Sequence, residues 1–287
     1  MSPIADLLRD RMGEASPAER KAGRVLLAGY PLLALETATT VAARAAVSTP
    51  TVIRLVTRLG YRGYPDFQQA VRTELATEEG ASPAALYDAQ EFLETATTDP
   101  DELTRRTGPT LATAVRDTLA SLPPAELSAA VTLLADHKRR IHLLGGRFTG
   151  LIAHYLSLHL TQLRRDVLML PPTAVERAAV VSDLGRRDVV VLFDYRRYEP
   201  ATAELARWTR DRGGSVILFT DPWLSPASTS ASIVLPCKVD APSPYDSLVP
   251  TMAVAELLVT GVLAALGESA RERMRAIDGS AAALHLY

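Results

Sequence analysis

The chain has 287 residues, 47% hydrophobic and 22% charged, with a formal net charge of −2. That length is a prior for two domains, and the composition excludes a disordered or low-complexity chain. One cysteine, Cys237, excludes an intramolecular disulfide and a cysteine-based metal cluster.

Residues 1–75 hold ten Lys or Arg against seven Asp or Glu, about +3, so the remainder is acidic. Nucleic-acid binding follows local charge, and a basic head on an acidic body fits it. Asp6, Arg9, Asp10 and Arg11 break up the first apolar run, unlike the core of a signal peptide. A cytoplasmic protein with no membrane partner is expected.

The first 75 residues read as helices throughout. Segments 4–12 and 17–29 flank Gly13, and Ser16-Pro17 with Glu19 is a helix start. A helix over 39–45 packs through Val41, Ala42 and Ala45. The helix after it carries Val52, Leu55, Val56 and Leu59 at i, i+3, i+4 and i+7, a buried stripe. The opposite face then holds Pro50, Ile53, Arg54, Thr57 and Arg58. Ser48 or Thr49 caps its start, Pro50 is tolerated in the first turn, and Gly60 ends it. Guanidinium groups suit guanine edges or phosphates, hydroxyls suit either, and an aliphatic group suits thymine methyls. This is a helix-turn-helix pattern, with the second helix as the major-groove reader. The bland alternative is an amphipathic hairpin with solvated arginines.

The continuation Tyr61-Arg62-Gly63-Tyr64-Pro65-Asp66-Phe67, with Ser48, Thr51, Val52, Arg54, Leu59 and Gly60, resembles RpiR/MurR-type transcriptional regulators. The resemblance implies DNA contacts from Ser48, Thr49, Thr51, Ile53, Arg54, Thr57 and Arg58. Ala46 departs from the pattern, which has Gly in the turn; a positive φ there would cost Ala about 1 kcal/mol.

A closing helix is expected over 65–75. Residues 76–107 are polar and read as irregular, with a helix near 84–96, and another helix spans 109–122 before Pro123-Pro124. The domain reading is 1–77 for the helix-turn-helix, 78–123 for a linker with helices, and 124–287 for an α/β domain. In the last, apolar runs at 140–144, 167–170, 188–193, 215–219 and 232–235 read as strands of a doubly wound parallel sheet. Helical patterns fill 125–136, 150–163 and 201–212, and a long helix covers 247–266 before a short charged helical tail. The 248–266 stretch contains Glu256 and Pro250 and reads as a buried or dimer-interface helix rather than a membrane span.

Three loops are candidates for holding a ligand. Gly145-Gly146-Arg147-Phe148-Thr149 joins a strand to a helix, where free amides and a helix N-terminus suit an anion. The spacing of a dinucleotide fingerprint is absent, and no cofactor is expected. Asp194-Tyr195-Arg196-Arg197-Tyr198 offers arginine forks for a carboxylate or phosphate, or else a solvated salt-bridge loop. Ser243, Asp246 and Ser247 precede the long helix and serve a ligand or only cap it.

Element order and length are similar to the SIS (sugar isomerase) domain that RpiR/MurR-type regulators carry, an expected five-stranded fold. The resemblance implies a homodimer or higher oligomer that senses a phosphosugar and controls sugar or cell-wall catabolic genes. The family's Gly-x-Gly-x-Ser loop falls on Gly145, Arg147 and Thr149, and its Ser-x-Ser-Gly-x-Thr loop falls on Asp194, Arg196 and Arg197. Charged groups thus replace most phosphate-cradling hydroxyls. The expected effector is a small anion, either an organic acid or a phosphosugar held by arginines; a pocket narrowed to a structural role is the alternative.

His142, His154 and His159 lack ligand partners at metal spacing and read as partly buried structural residues, so no metal is expected. Two rival functions remain. A phosphosugar isomerase would use Glu176 with His154 or His159 as acid and base; a non-DNA scaffold would use the basic helix for protein docking. The reading taken is a non-enzymatic regulator of duplex DNA, without catalytic residues.

Overall fold

The computed structural model describes residues 4, 7–8, 11–28, 30–79 and 97–286. The chain divides into two compact units, residues 1–82 and 83–287.

The first unit is helical: α1 (Pro17–Ala28), α2 (Leu32–Leu35), α3 (Ala38–Ala45), α4 (Thr49–Arg58) and α5 (Tyr64–Glu79). In the expected 4–12 helix, Ile4, Leu7 and Leu8 are helical, whereas Arg11–Glu14 forms a 3₁₀ turn. At the start of α1, the Ser16 amide donates to Glu19 at 2.8 Å and the Glu19 amide to the Ser16 hydroxyl at 3.3 Å, a reciprocal cap. Thr37 caps α3 by accepting the Thr40 amide. α3 closes on Ala46 at φ 48°, with Val47 N–H reaching Ala42 O at 3.0 Å and Ala46 N–H reaching Ala43 O at 3.1 Å. Leu8, Leu26, Val41, Val52, Leu55, Val56, Phe67 and Val71 are buried in this unit. The closing helix is longer than expected, reaching Glu79.

The second unit contains α6 (Pro100–Ser121), α7 (Pro124–Ala135), β1 (Arg140–Gly145), α8 (Gly150–Leu163), β2 (Val167–Met169) and α9 (Ala174–Ser182). β3 (Asp188–Phe193), α10 (Pro200–Asp211), β4 (Ser215–Thr220), β5 (Ile233–Pro236), α11 (Val249–Leu266) and α12 (Glu268–Leu284) follow. The strands form one parallel sheet in the order β2-β1-β3-β4-β5. β3 is buried along its whole length, as a central strand covered on both faces must be. Alternate residues serve opposite cores: Val189, Val191 and Phe193 join α7, α8 and α11, while Val190 and Leu192 join α10.

Two expectations are corrected here. Residues 100–107 are not irregular: α6 begins at Pro100, with Asp99 accepting the Asp101 amide at 3.1 Å and Asp101 and Glu102 in the first turn. Asp99-Pro100 was a helix start in the guise of a loop signal, and α6 accommodates Pro109 inside it. α9 was not expected at all, although Thr173 and Glu176 spell a capping box. The helix expected at 84–96 lies outside the described residues. α11 is long and apolar enough to cross a membrane, and here Pro250, Thr251, Val254, Ala255, Leu258 and Val262 are buried in packing against α6, α7 and α8.

Candidate nucleic-acid interface and ligand pocket

In the first unit, α4 has two unlike faces. Val52, Leu55 and Val56 are inside, whereas Ile53, Arg54, Thr57 and Arg58 are exposed together with Ser48 and Pro50; Thr49 is half-buried. Thr51 was expected among the DNA contacts and is only 4% exposed. Its hydroxyl lies 2.9 Å from that of Ser48 and accepts from Arg54 Nη2 at 3.0 Å. A residue one position before Val52 flanks the buried stripe, which the binary pattern left undecided. Ser48 takes the N-cap position, but its hydroxyl serves Thr51 rather than a backbone amide.

Arg54 and Arg58 are tethered from α1. Glu19, almost wholly buried, lies 3.5 Å from Arg58 Nη2 and 3.9 Å from Arg54 Nε. The Ser16 amide holds its carboxyl below the usual range against the opposing effect of burial, and Arg58 and Arg54 add to this. No sequence signal tied Glu19 to α4, because a capping box accounts for it locally.

In the second unit, strand order reverses between β1 and β3, where Gly145 pairs with Phe193. Ligands of open α/β sheets bind at this point, at the strands' carboxyl ends. A cavity of about 390 Å³ opens there, lined from three loops by Gly146, Arg147, Phe148, Thr149, Phe193, Asp194, Tyr195, Arg196, Arg197, Glu199, Tyr245, Asp246 and Leu248. Nine of the expected residues therefore meet.

Gly145 is required by close packing: a Cβ there would sit 2.6 Å from Gly150 N and from Thr149 O. The Thr149 hydroxyl is used internally, accepting the Gly146 amide at 2.8 Å and donating to Phe193 O at 3.1 Å. The amides of Arg147, Phe148 and Thr149 have no acceptor among the described residues and lie just before α8. Arg147 is exposed beside them.

The two arginines of the next loop part company. Arg196 is mostly buried, paired with Asp246 and laid over the Trp223 ring at 4.4 Å, with its Nε unpartnered. Its charge is already matched, so it is not the free fork expected. Arg197 is exposed, at φ 71°. The acids are as prominent as the bases. Asp194 accepts from Ser225 Oγ and from the Glu199 amide at 3.2 Å, and burial raises its carboxyl above the usual range. Glu199 lies against Gly146, where a Cβ would be 3.1 Å from Oε1.

Gly145, Tyr198, Ser243 and Ser247 do not line the cavity. Tyr198 donates to Asp221 at 2.7 Å, behind the loop. Asp221 is fully buried, and burial pushes its carboxyl up to about 6. Ser247 accepts the Val249 amide at 3.2 Å at the start of α11, and Ser243 accepts the Tyr245 amide at 3.3 Å. Phe193, Glu199, Tyr245 and Leu248 were missed as lining residues; all but Leu248 belong to the segments 191–200 and 243–247 that carry the expected site residues.

The histidine expectation fails for two of three. His154 and His159 are exposed on α8, and only His142 is buried, its Nε2 2.9 Å from Asp188. Glu176 caps α9 with Thr173. The residues nominated for isomerase chemistry thus do not come together at the cavity. No group of three metal-ligating side chains occurs among the described residues.

Residues 3–78 match the helix-turn-helix domain of the rpiR family, and residues 133–261 match the SIS domain. The chain is built as an RpiR-type transcriptional regulator. It is 25% identical over 289 residues to the HTH-type transcriptional regulator HexR of Pseudomonas aeruginosa, covering 98% of this chain and 96% of HexR. The fold resembles the sugar isomerase domain of an RpiR transcription factor from Sphaerobacter thermophilus (TM-score 0.57, 22% identity, 62% of this chain and 98% of that one). It also resembles Vibrio vulnificus NanR complexed with ManNAc-6P (TM-score 0.54, 18% identity, 98% of this chain and 99% of that one).

Proposed function

We propose that this RpiR-type regulator is a cytoplasmic homodimer that binds duplex DNA through α4, under control of a small anionic effector in the SIS cavity. The genes it governs serve sugar or related catabolism. The observation that carries the reading is the exposed Ile53-Arg54-Thr57-Arg58 face of α4, backed by a fully buried seam. Two such heads suit successive major grooves, about 34–36 Å apart. Leu151 and Leu158 on α8, 72% and 54% exposed, with Val249 and Leu263 on α11, support a second copy as the partner.

In the cavity, the free amides of residues 147–149 with Arg147 and Arg197 suit the effector's acidic end. Glu199 and Asp194 suit hydroxyl groups at its other end. This favours a hydroxylated monoanion or sugar phosphate over a bare polyanion, because the lining acids oppose further negative charge.

The test is a mobility-shift titration over a range of salt with a duplex selected from a random pool. Arg54→Ala is expected to weaken specific binding by about 1–3 kcal/mol. Wild-type affinity in that variant would remove Arg54 as a base reader.

A further inference from the structure

The opposite edge of the domain, at the amino ends of the strands, carries a feature that the effector cavity does not explain. Each of the three adjacent strands β2, β1 and β3 is preceded by basic residues, Arg164-Arg165, His137-Lys138-Arg139 and Arg186-Arg187, and β1 itself opens on Arg140. Ile141 pairs with Val167 and Arg140 with Asp188. Extending those registers outward puts Arg165, Arg139 and Arg187 in one row, and Arg164, Lys138 and Arg186 in the next. Backbone bonds carry the ladder beyond the strands, from Ile141 N to Asp166 O and from Arg140 N to Arg187 O, each 2.8 Å. At about 4.8 Å between strands, the rows bring together cations that are distant in sequence.

Some of this charge is already matched. Arg139 pairs with Asp136 at 3.5 Å, Arg140 with buried Asp188 at 2.7 Å, and Arg164 is buried against main-chain carbonyls. Asp166 and Asp183 also face Arg140. Lys138, Arg165, Arg186 and Arg187 are exposed and have no carboxylate within ion-pair distance among the described residues. A hollow of about 640 Å³ opens here, lined by His137, Lys138, Arg139, Arg140, Asp166 and Arg187.

We infer that this edge is a docking surface for the phosphate backbone of duplex DNA, additional to α4. The choice of occupant rests on charge complementarity and on the lining. Small-molecule sites are mostly apolar with a few fixed polar groups. This hollow has no hydrophobic side chain in its lining, and its free cations are long and flexible, which suits a polyelectrolyte whose charges repeat. The concentration is local, because residues 76–287 as a whole are acidic. The inference rests on the reading that the chain binds duplex DNA.

The experiment uses the full chain, with Lys138, Arg165 and Arg187 changed together to Gln at exposed positions that leave the fold intact, as circular dichroism checks. Affinity for duplex DNA is measured from 50 to 300 mM salt, and tripolyphosphate binding by calorimetry. The slope of log affinity against log salt is expected to shrink by about 2–3, near 0.9 for each phosphate no longer neutralised. An unchanged slope overturns the proposal. So does loss of tripolyphosphate binding with the DNA slope retained, which would make the hollow a small-anion site. Arg54→Ala measured alongside separates the two readings. If it loses sequence preference while the triple variant keeps its slope, the edge is removed and the helix kept; the converse keeps the edge and removes the helix.

Discussion

Ala46 is the residue on which the helix-turn-helix bends, and it does so against its own chemistry. An L side chain at φ 48° crowds the following carbonyl, a cost of about 1–2 kcal/mol that glycine avoids. Nothing in the backbone bonding asks for a methyl group there: both closing bonds of α3 come from main-chain amides. Ala46→Gly is therefore expected to stabilise the first unit by about 1 kcal/mol, the gain being trimmed by the extra freedom of glycine in the unfolded chain. Urea denaturation followed by fluorescence checks it, and a loss of stability would mean that the turn does not depend on this conformation. The positive φ was legible only as a condition, raised by the glycine that the resembling family carries at this place. Thr51 and the Glu19 tether were not. A hydroxyl beside the apolar stripe, and a buried carboxylate already used as a cap, both satisfy local rules while their tertiary partners stay hidden.

At the scale of elements, Arg164 shows how a charged side chain can serve as structural mortar. It is only 1% exposed and follows the last residue of α8. Its guanidinium donates to Leu134 O at 2.7 Å and Asp136 O at 2.8 Å, the unsatisfied end of α7, and also to Arg139 O before β1. One planar fork thus ties a helix end, a turn and a strand start, with burial pulling its basicity down. Arg164→Met keeps much of the volume but leaves those carbonyls without donors. A loss of about 3 kcal/mol or more is expected in chemical denaturation. A change below about 1 kcal/mol would mean that water replaces the guanidinium. Composition could not reveal this role, since Arg164-Arg165 reads as an ordinary solvated pair. The strands were legible for the opposite reason: runs such as Val189-Val190-Val191-Leu192 have no other stable home than a covered sheet. The first turns of α6 and the whole of α9 were lost because their start signals, Asp99-Pro100 and Thr173, also occur in loops.

For the whole molecule, the proposed function requires that effector and DNA act on one equilibrium. If the effector alters DNA affinity by some factor, thermodynamic linkage makes DNA alter effector affinity by the same factor, whatever route joins the two sites. A coupling of about 1–3 kcal/mol corresponds to roughly 5- to 150-fold in both directions. The cavity offers a way to cut one arm of the cycle. Arg147 and Arg197 are exposed and carry no ion pair among the described residues, so neutralising both removes charge from the effector site without orphaning a buried partner. Arg196 is unsuitable for this purpose, because its loss would strand Asp246. In Arg147→Ala with Arg197→Ala, DNA affinity without effector is expected to match the wild type, while the effector concentration needed to change it rises at least tenfold. Calorimetry of effector with and without saturating duplex gives the reciprocal factor. If the double variant responds to effector at the wild-type concentration, the ligand acts on DNA binding by some means other than occupancy of this cavity.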